Sequence, residues 1–249
     1  MTDQPIPAVP PTITELLERK SVRKFEPRPI PPEVKASLLE CAFNAPTAGN
    51  QQLYTILDIV DQGIKDVLAR TCDHQPFIAE APLVLVFLAD CRRWLDTYRA
   101  AGQEAREPGL GDIMLAVVDA TIAAQNVVVA AHAYGLGSCY IGDVVEQREE
   151  VVELLHLDPY VVPAAMLVLG YPTEHALRRA KPTRFEGRYI VQTDRYAPLD
   201  EASLRAMIAG RGEDFDRLIP AFCKRKYMSD FAAEMNRCVT DYLKPFRAG

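Results

Sequence analysis

The chain has 249 residues, 49% of them apolar, enough to bury a sizeable core in one large domain or two small ones. A formal charge of −6 at pH 7 removes the overall basic footprint of a nucleic-acid binder. The six cysteines form no C-x-x-C pair and the four histidines stand at no zinc-ligand spacing from them, so the thiols read as reduced and no metal centre is expected.

Residues 1–11 are proline-rich and read as a flexible arm. No basic stretch there leads into an apolar one, so no secretory signal is expected and the cytoplasm is the expected address. Thr12 and Glu15 have capping-box spacing and predict a short helix from Thr12. It ends in "ERKSVRKF", residues 18–25, which gathers Arg19, Lys20, Arg23 and Lys24 around Ser21. In an acidic chain such a cluster calls for a local anion. It also fits a solvated basic helix end, favourable to the helix dipole.

Pro31 and Pro32 suit the first turn of a second helix, with Val34, Leu38, Leu39 and Ala42 on one face, and "NAPTAGNQQ" breaks it. β-Branched content predicts strands over 53–60 and 82–90, with a helix over 64–72 between them. Periodicity fails over 92–111, read as an excursion or lid. Within it, Trp94 and Tyr98 are four residues apart and would share a face if helical, either stacking on an aromatic acceptor or closing over the core.

Asp112 is expected to open a long helix through Tyr134, apolar nearly all round. The uncharged run 120–142 has the length of a membrane span, but Gln125, Asn126, His132, Gly135 and Gly137 favour a helix buried in protein. His132 reads as a core or interface histidine. "QREEVVELLHL" reads as a helix, "PAAMLVLGYP" as a strand and turn, and "GRYIVQ" as a short strand. From Ala202 the chain is helical again, with Phe231, Met235, Val239 and Tyr242 or Leu243 on one stripe. Strands and helices follow no regular βα alternation, which favours an α+β class over a doubly wound sheet. The expected organisation is an arm at 1–11, a core domain at 12–201 and a helical extension at 202–249.

"YGLGSCYIG" offers Gly135 and Gly137 as G-x-G, yet a dinucleotide fingerprint needs a strand before its glycines, and here a helix precedes them. Gly135 reads as a helix C-cap. The small residues and turn of "SCYIGDV" would let backbone N–H groups approach a flat ligand. Cys139, beside Tyr140 and Ile141, reads as a packed thiol.

Five segments, "ERKSVRKF", "NAPTAGNQQLY", "YGLGSCYIGDV", "VLGYP" and "KPTRF", stand in the order and rough spacing that resembles the FMN-dependent nitroreductase family, over residues 12–192. The resemblance implies a nitroreductase-like α+β fold, with a central, mostly antiparallel sheet flanked by helices. It further implies an intertwined homodimer with FMN at its interface, NADH or NADPH as electron donor, and a small-molecule acceptor such as a nitroaromatic or quinone. Neither nucleic acid nor membrane is an expected partner.

Carried over residue by residue, the resemblance assigns Arg19, Lys20 and Ser21 to the FMN phosphate and ribityl end, and Arg23 to the flavin N1–O2 edge. Such donors suit a phosphate dianion, and a cation at N1 would stabilise charge developing there on reduction. Thr47, Asn50 and Gln52 correspond to a segment reaching the ring from the partner subunit, although Leu53 and Tyr54 stand where the family carries Pro-Trp. Tyr140, Ile141 and Gly142 match the segment covering one flavin face. Arg184 and Lys181 match a later phosphate-binding stretch, with Pro182 where some relatives have lysine. The implied mechanism is ping-pong: NAD(P)H reduces FMN, leaves, and an acceptor takes its place. It needs no catalytic side chain. The same scaffold also leaves open a reductive dehalogenase, a flavin-processing relative, or a flavin-binding protein with little turnover.

Overall fold

A computed structural model describes residues 9–247; residues 1–8, most of the expected arm, lie outside the described residues. The chain divides into two compact units, one of Met1–Arg179 with Arg237–Gly249, the other of Ala180–Asn236.

The first unit is built on four strands, β1 (Tyr54–Asp58), β2 (Leu83–Asp90), β3 (Gly137–Ile141) and β4 (Val161–Gly170). They lie in the order β1-β2-β4-β3 with every pair antiparallel, the α+β arrangement expected. All of β2 is buried, which explains its unbroken apolar run: both its faces are covered. Leu83, Leu85 and Phe87 pack with Leu38 and Ala42 of α2 (Pro32–Phe43) and with the alanines and valines of α5 (Leu110–Ala133). Val84, Val86 and Leu88 face the other way, toward Leu68 of α3 (Gln62–Thr71) and Leu154 of α6 (Arg148–Leu155).

The central helix α5 opens at Leu110, two residues ahead of expectation, because Asp112 acts from the third helical position, its carboxylate accepting the Gly109 N–H at 2.7 Å. It ends as expected at glycine: Gly135 has φ +73°, and the Leu136 N–H reaches back to the Ala131 carbonyl at 2.8 Å. By length and composition α5 could cross a bilayer, yet it packs against the sheet and α2. One flank stays uncovered, with Leu110, Met114, Leu115 and Val118 exposed.

Several expectations need correction. The Thr12–Glu15 capping box does not form, since Pro10 caps α1 (Pro11–Glu18) through its carbonyl, which accepts from Ile13 and Thr14. The excursion contains a helix, α4 (Arg92–Ala100), because the Asp90 carboxylate accepts the N–H groups of Arg92 and Arg93 at 3.0 and 3.1 Å, and Arg92 pairs with Asp96 one turn on. "GSCYI" is a strand rather than a turn, its small residues fitting it to the sheet edge.

"GRYIVQ" forms only a single turn at Gly187–Tyr189, with Ile190 and Val191 exposed and no strand beside it in the second unit. The second unit otherwise holds α8 (Glu201–Ala209) and α9 (Phe215–Phe222), bound by Arg205 to Glu201 and Asp216. The short helix α7 (Glu174–Arg178) belongs to the first unit, and α10 (Asp230–Tyr242) begins in the second unit's last residues and ends in the first unit's closing segment. On α10 Tyr242 is buried and Phe231 and Met235 are half-buried as expected, but Cys238 is buried in place of the exposed Val239; the Arg148 N–H donates to the Cys238 sulfur at 3.5 Å and fixes that face.

Candidate active site

The cationic segment leaves α1 in an extended path and docks on the β3 edge. Ser21 pairs with Ser138, the Val22 N–H donates to the Ser138 carbonyl at 2.9 Å, and Phe25 pairs with Pro172 just past β4. Glu26 and Thr173 close the docking with bonds to Tyr171 and Lys24 at 2.8 and 3.2 Å. The approach is close enough to require glycine: a Cβ on Gly137 would stand 2.6–2.8 Å from the Val22 side chain, and one on Gly170 2.8–2.9 Å from Pro82 and Phe25.

Alternation along this extended stretch sets Arg19, Ser21 and Arg23 to one side and buries Val22. Ser21 and Arg23 line a cavity of about 450 Å³ with Phe77, His175 and Arg179; Arg19 and Lys20 line a smaller one of about 140 Å³ beside His132, Gly137 and Ser138. Arg23 lies 5.9 Å from the centre of the Phe77 ring. Lys20 is already engaged, giving hydrogen bonds to the carbonyl of Leu177 in the last turn of α7 at 2.6 Å and to that of Arg179 just past it at 2.5 Å. Among the described residues, no carboxylate is paired with Arg19 or Arg23.

On β3, burial pushes the Tyr140 phenol up to about 12 against the opposing pull of Arg19, and its hydroxyl donates to Gln125 of α5 at 3.3 Å. Cys139 is 1% exposed, and burial raises its thiol despite Arg23, a hydrogen bond with Ser21, and Arg19. It is a packed cysteine. Ile141 is buried and Gly142 exposed at the strand's end.

Thr47, Asn50 and Gln52 lie on a separate loop, in front of β1, whose backbone is left-handed at Gly49 (φ 56°), Asn50 (57°) and Gln52 (51°). Two elements fasten it. From α5, the buried Asp119 carboxylate accepts the N–H of Ala48 at 2.9 Å and of Leu53 at 3.2 Å. From α4, the Trp94 indole donates to the Gln51 carbonyl at 2.7 Å, Arg93 to the Gln52 carbonyl at 3.3 Å, and the Tyr98 hydroxyl accepts from the Gln51 side chain at 3.2 Å. Trp94 and Tyr98 do share a face, their ring centres 5.5 Å apart, and with Arg106, Asp112 and Leu115 they line a cavity of about 330 Å³.

Thus the cationic residues dock at Ser138 on the edge strand that also carries Tyr140 and Ile141, and the polar loop residues sit against α4 and α5. Lys181 and Arg184 belong to the second unit, Lys181 half-buried and Arg184 exposed. Sequence reading passed over Asp119 and Arg93. Asp119 carried a signal: it is the only ionisable residue in 113–131, inside a stretch otherwise apolar or uncharged.

The Nitroreductase family model matches residues 16–70 and 59–171. The chain belongs to the nitroreductase family. Among its relatives, an FMN reductase (NAD(P)H) of Bacillus subtilis is 31% identical over 192 residues, 76% of either chain. An oxygen-insensitive NADPH nitroreductase of Salmonella typhimurium is 32% identical over 195 residues, 78% of either chain. A solved nitroreductase structure from Bacillus subtilis superposes with a TM-score of 0.77 at 26% identity, covering 90% of this chain and 98% of that one. The family match takes in the cationic segment, the 47–53 loop and β3, whereas Lys181 and Arg184 fall beyond it.

Proposed function

We propose that this nitroreductase-family chain is an FMN-dependent oxidoreductase that draws on NADH or NADPH and reduces nitroaromatic, quinone or related acceptors. The observation that carries the reading is the unpaired cationic segment seated on Gly137 at the β3 edge. Guanidinium groups without carboxylate partners, next to a hydroxyl, form a donor set that fits a phosphate ester, and their positions are fixed by backbone pairing before any ligand arrives.

Arg19, Lys20 and Ser21 would hold the FMN phosphate and ribityl end. Lys20, with two of its three donors on carbonyls, has one left to give. Lys181 and Arg184 would add to the phosphate set. Arg23 would face the N1–O2 edge and balance negative charge there. Tyr140, Ile141 and Gly142 would cover one ring face, the Tyr140 phenol staying protonated at neutral pH as a donor to Gln125. Thr47, Asn50 and Gln52 would address the ring from a second copy of the chain. FMN, when bound, supplies the hydride chemistry, so no side-chain nucleophile is required.

The assembly in this reading is a cytoplasmic homodimer with FMN at the interface. Its support is the uncovered flank of α5, with Leu110, Met114, Leu115 and Val118 exposed, and α1, which buries none of its residues and leaves Ile13 and Leu16 exposed.

The test is the visible absorption spectrum of purified protein, followed by anaerobic addition of NADPH and then NADH. A stoichiometric flavin spectrum that bleaches is expected. A colourless protein that takes up no FMN would overturn the reading.

A further inference from the structure

We propose that Asp119 is a positioning residue of this site, clamping the 47–53 loop in the conformation that presents Asn50 and Gln52 to bound FMN; the inference rests on the functional reading above and deepens it. Asp119 is 2% exposed on the core-facing side of α5. A carboxylate there is costly unless fully hydrogen-bonded, and an apolar residue of similar size would serve packing as well or better. What the carboxylate adds is two acceptors in one rigid group. One oxygen takes the Ala48 N–H and the other the Leu53 N–H, at either end of the loop.

Between those two anchors the backbone takes the left-handed conformation at Gly49, Asn50 and Gln52. Two of these residues carry a Cβ, for which that conformation is unfavourable and persists only where the surroundings over-determine it. Asp119 supplies that constraint from below, and Arg93 and Trp94 hold the intervening carbonyls from α4. The loop's backbone groups are thereby engaged by fixed elements. The Asn50 side chain is exposed and makes no hydrogen bond to the described residues, so its amide is left for a ligand. Asp119 touches neither substrate nor cofactor in this arrangement; it acts through the loop.

Asp119→Asn keeps the volume and removes one acceptor, turning an NH₂ group toward a backbone N–H. Wild type, D119N and a packing control in β4, Val168→Ala, are compared by FMN titration, by the absorption bands of bound flavin, and by hydrogen–deuterium exchange over 44–54. D119N is expected to bind FMN about tenfold more weakly or worse, to alter the flavin bands, and to speed exchange in that peptide. The control should keep its affinity within about twofold despite a lower melting temperature. Wild-type affinity and bands in D119N would overturn the inference even if loop exchange rose, and so would an equal loss of affinity in the control. Failure of the wild type to take up FMN would instead bring down the functional reading itself, and unaltered exchange in D119N would then remove the clamp independently.

Discussion

The cationic segment 19–25 and the loop 47–53 are both irregular stretches beside the same sheet, and they are held by opposite means. The segment is fixed through its backbone, by bridges to Ser138 and Pro172, and its long side chains project without carboxylate partners. The loop is fixed by side chains reaching in from elsewhere, Asp119 from α5 and Arg93 and Trp94 from α4. At Arg19 and Arg23 the first arrangement separates holding the chain from holding a ligand, while Lys20, bonded to the Leu177 and Arg179 carbonyls, does both. In the second, a lost anchor changes the shape of what is presented.

The sharpest break of this contrast is the double variant Arg19→Ala with Arg23→Ala. Each charge-assisted contact is worth about 1.5–3 kcal/mol, so FMN affinity should fall by about a hundredfold or more. Because neither guanidinium is paired within the described residues, the melting temperature of the FMN-free protein should stay within about 2 °C of the parent. Titration and thermal denaturation of the same samples decide it. Weak binding with an unchanged melting temperature supports the separation, and a melting temperature lowered by several degrees would show that the cations hold the fold.

A smaller effect is expected from Gly137→Ala, which attacks the backbone docking instead. The new methyl would meet Val22 at 2.6–2.8 Å, and overpacking of this kind costs about 1–3 kcal/mol. At about 2–4 °C per kcal/mol for a chain of this size, the loss is readable by thermal denaturation. Adding Val22→Ala relieves the contact, so the double variant should be destabilised by less than the sum of the two singles. Strict additivity would mean that the segment does not rest on Gly137.

The same contrast explains what could be read from sequence. The cationic segment announces itself because four cations around a serine are anomalous in an acidic chain, and their cause is local. The core strands and α5 were legible through apolar runs and the Gly135 stop, since burial on both faces and a left-handed cap each demand particular residues in place. The loop's conformation was not legible. Its anchor at Asp119 lies 71 residues beyond Ala48, and no local pattern in "NAPTAGNQQ" specifies it. Helix α4 was missed for a related reason: its cap comes from Asp90, the last residue of a strand, so a reading that stops the strand at Asp90 counts that carboxylate only once. The short strand β3 was hidden because Gly137, Ser138 and Cys139 carry weak strand propensity, and pairing with β4 overrides it.

The mildest probe is Trp94→Phe, which keeps the ring against Tyr98 and removes only the indole N–H from the Gln51 carbonyl. Gln51 is half-buried, so water can replace the donor in part, and the loss should be about 1 kcal/mol. If the loop is held by independent side-chain anchors, W94F should speed amide exchange at Gln51 and Gln52 while leaving Ala48 and Leu53, which Asp119 holds, close to wild-type protection. If all four amides lose protection together, the anchors act as one cooperative clasp and the loop opens as a unit. Exchange measured residue by residue separates the two outcomes. The second would extend the contrast with the cationic segment, where removing one side chain should leave the backbone pairing of its neighbours to Ser138 intact.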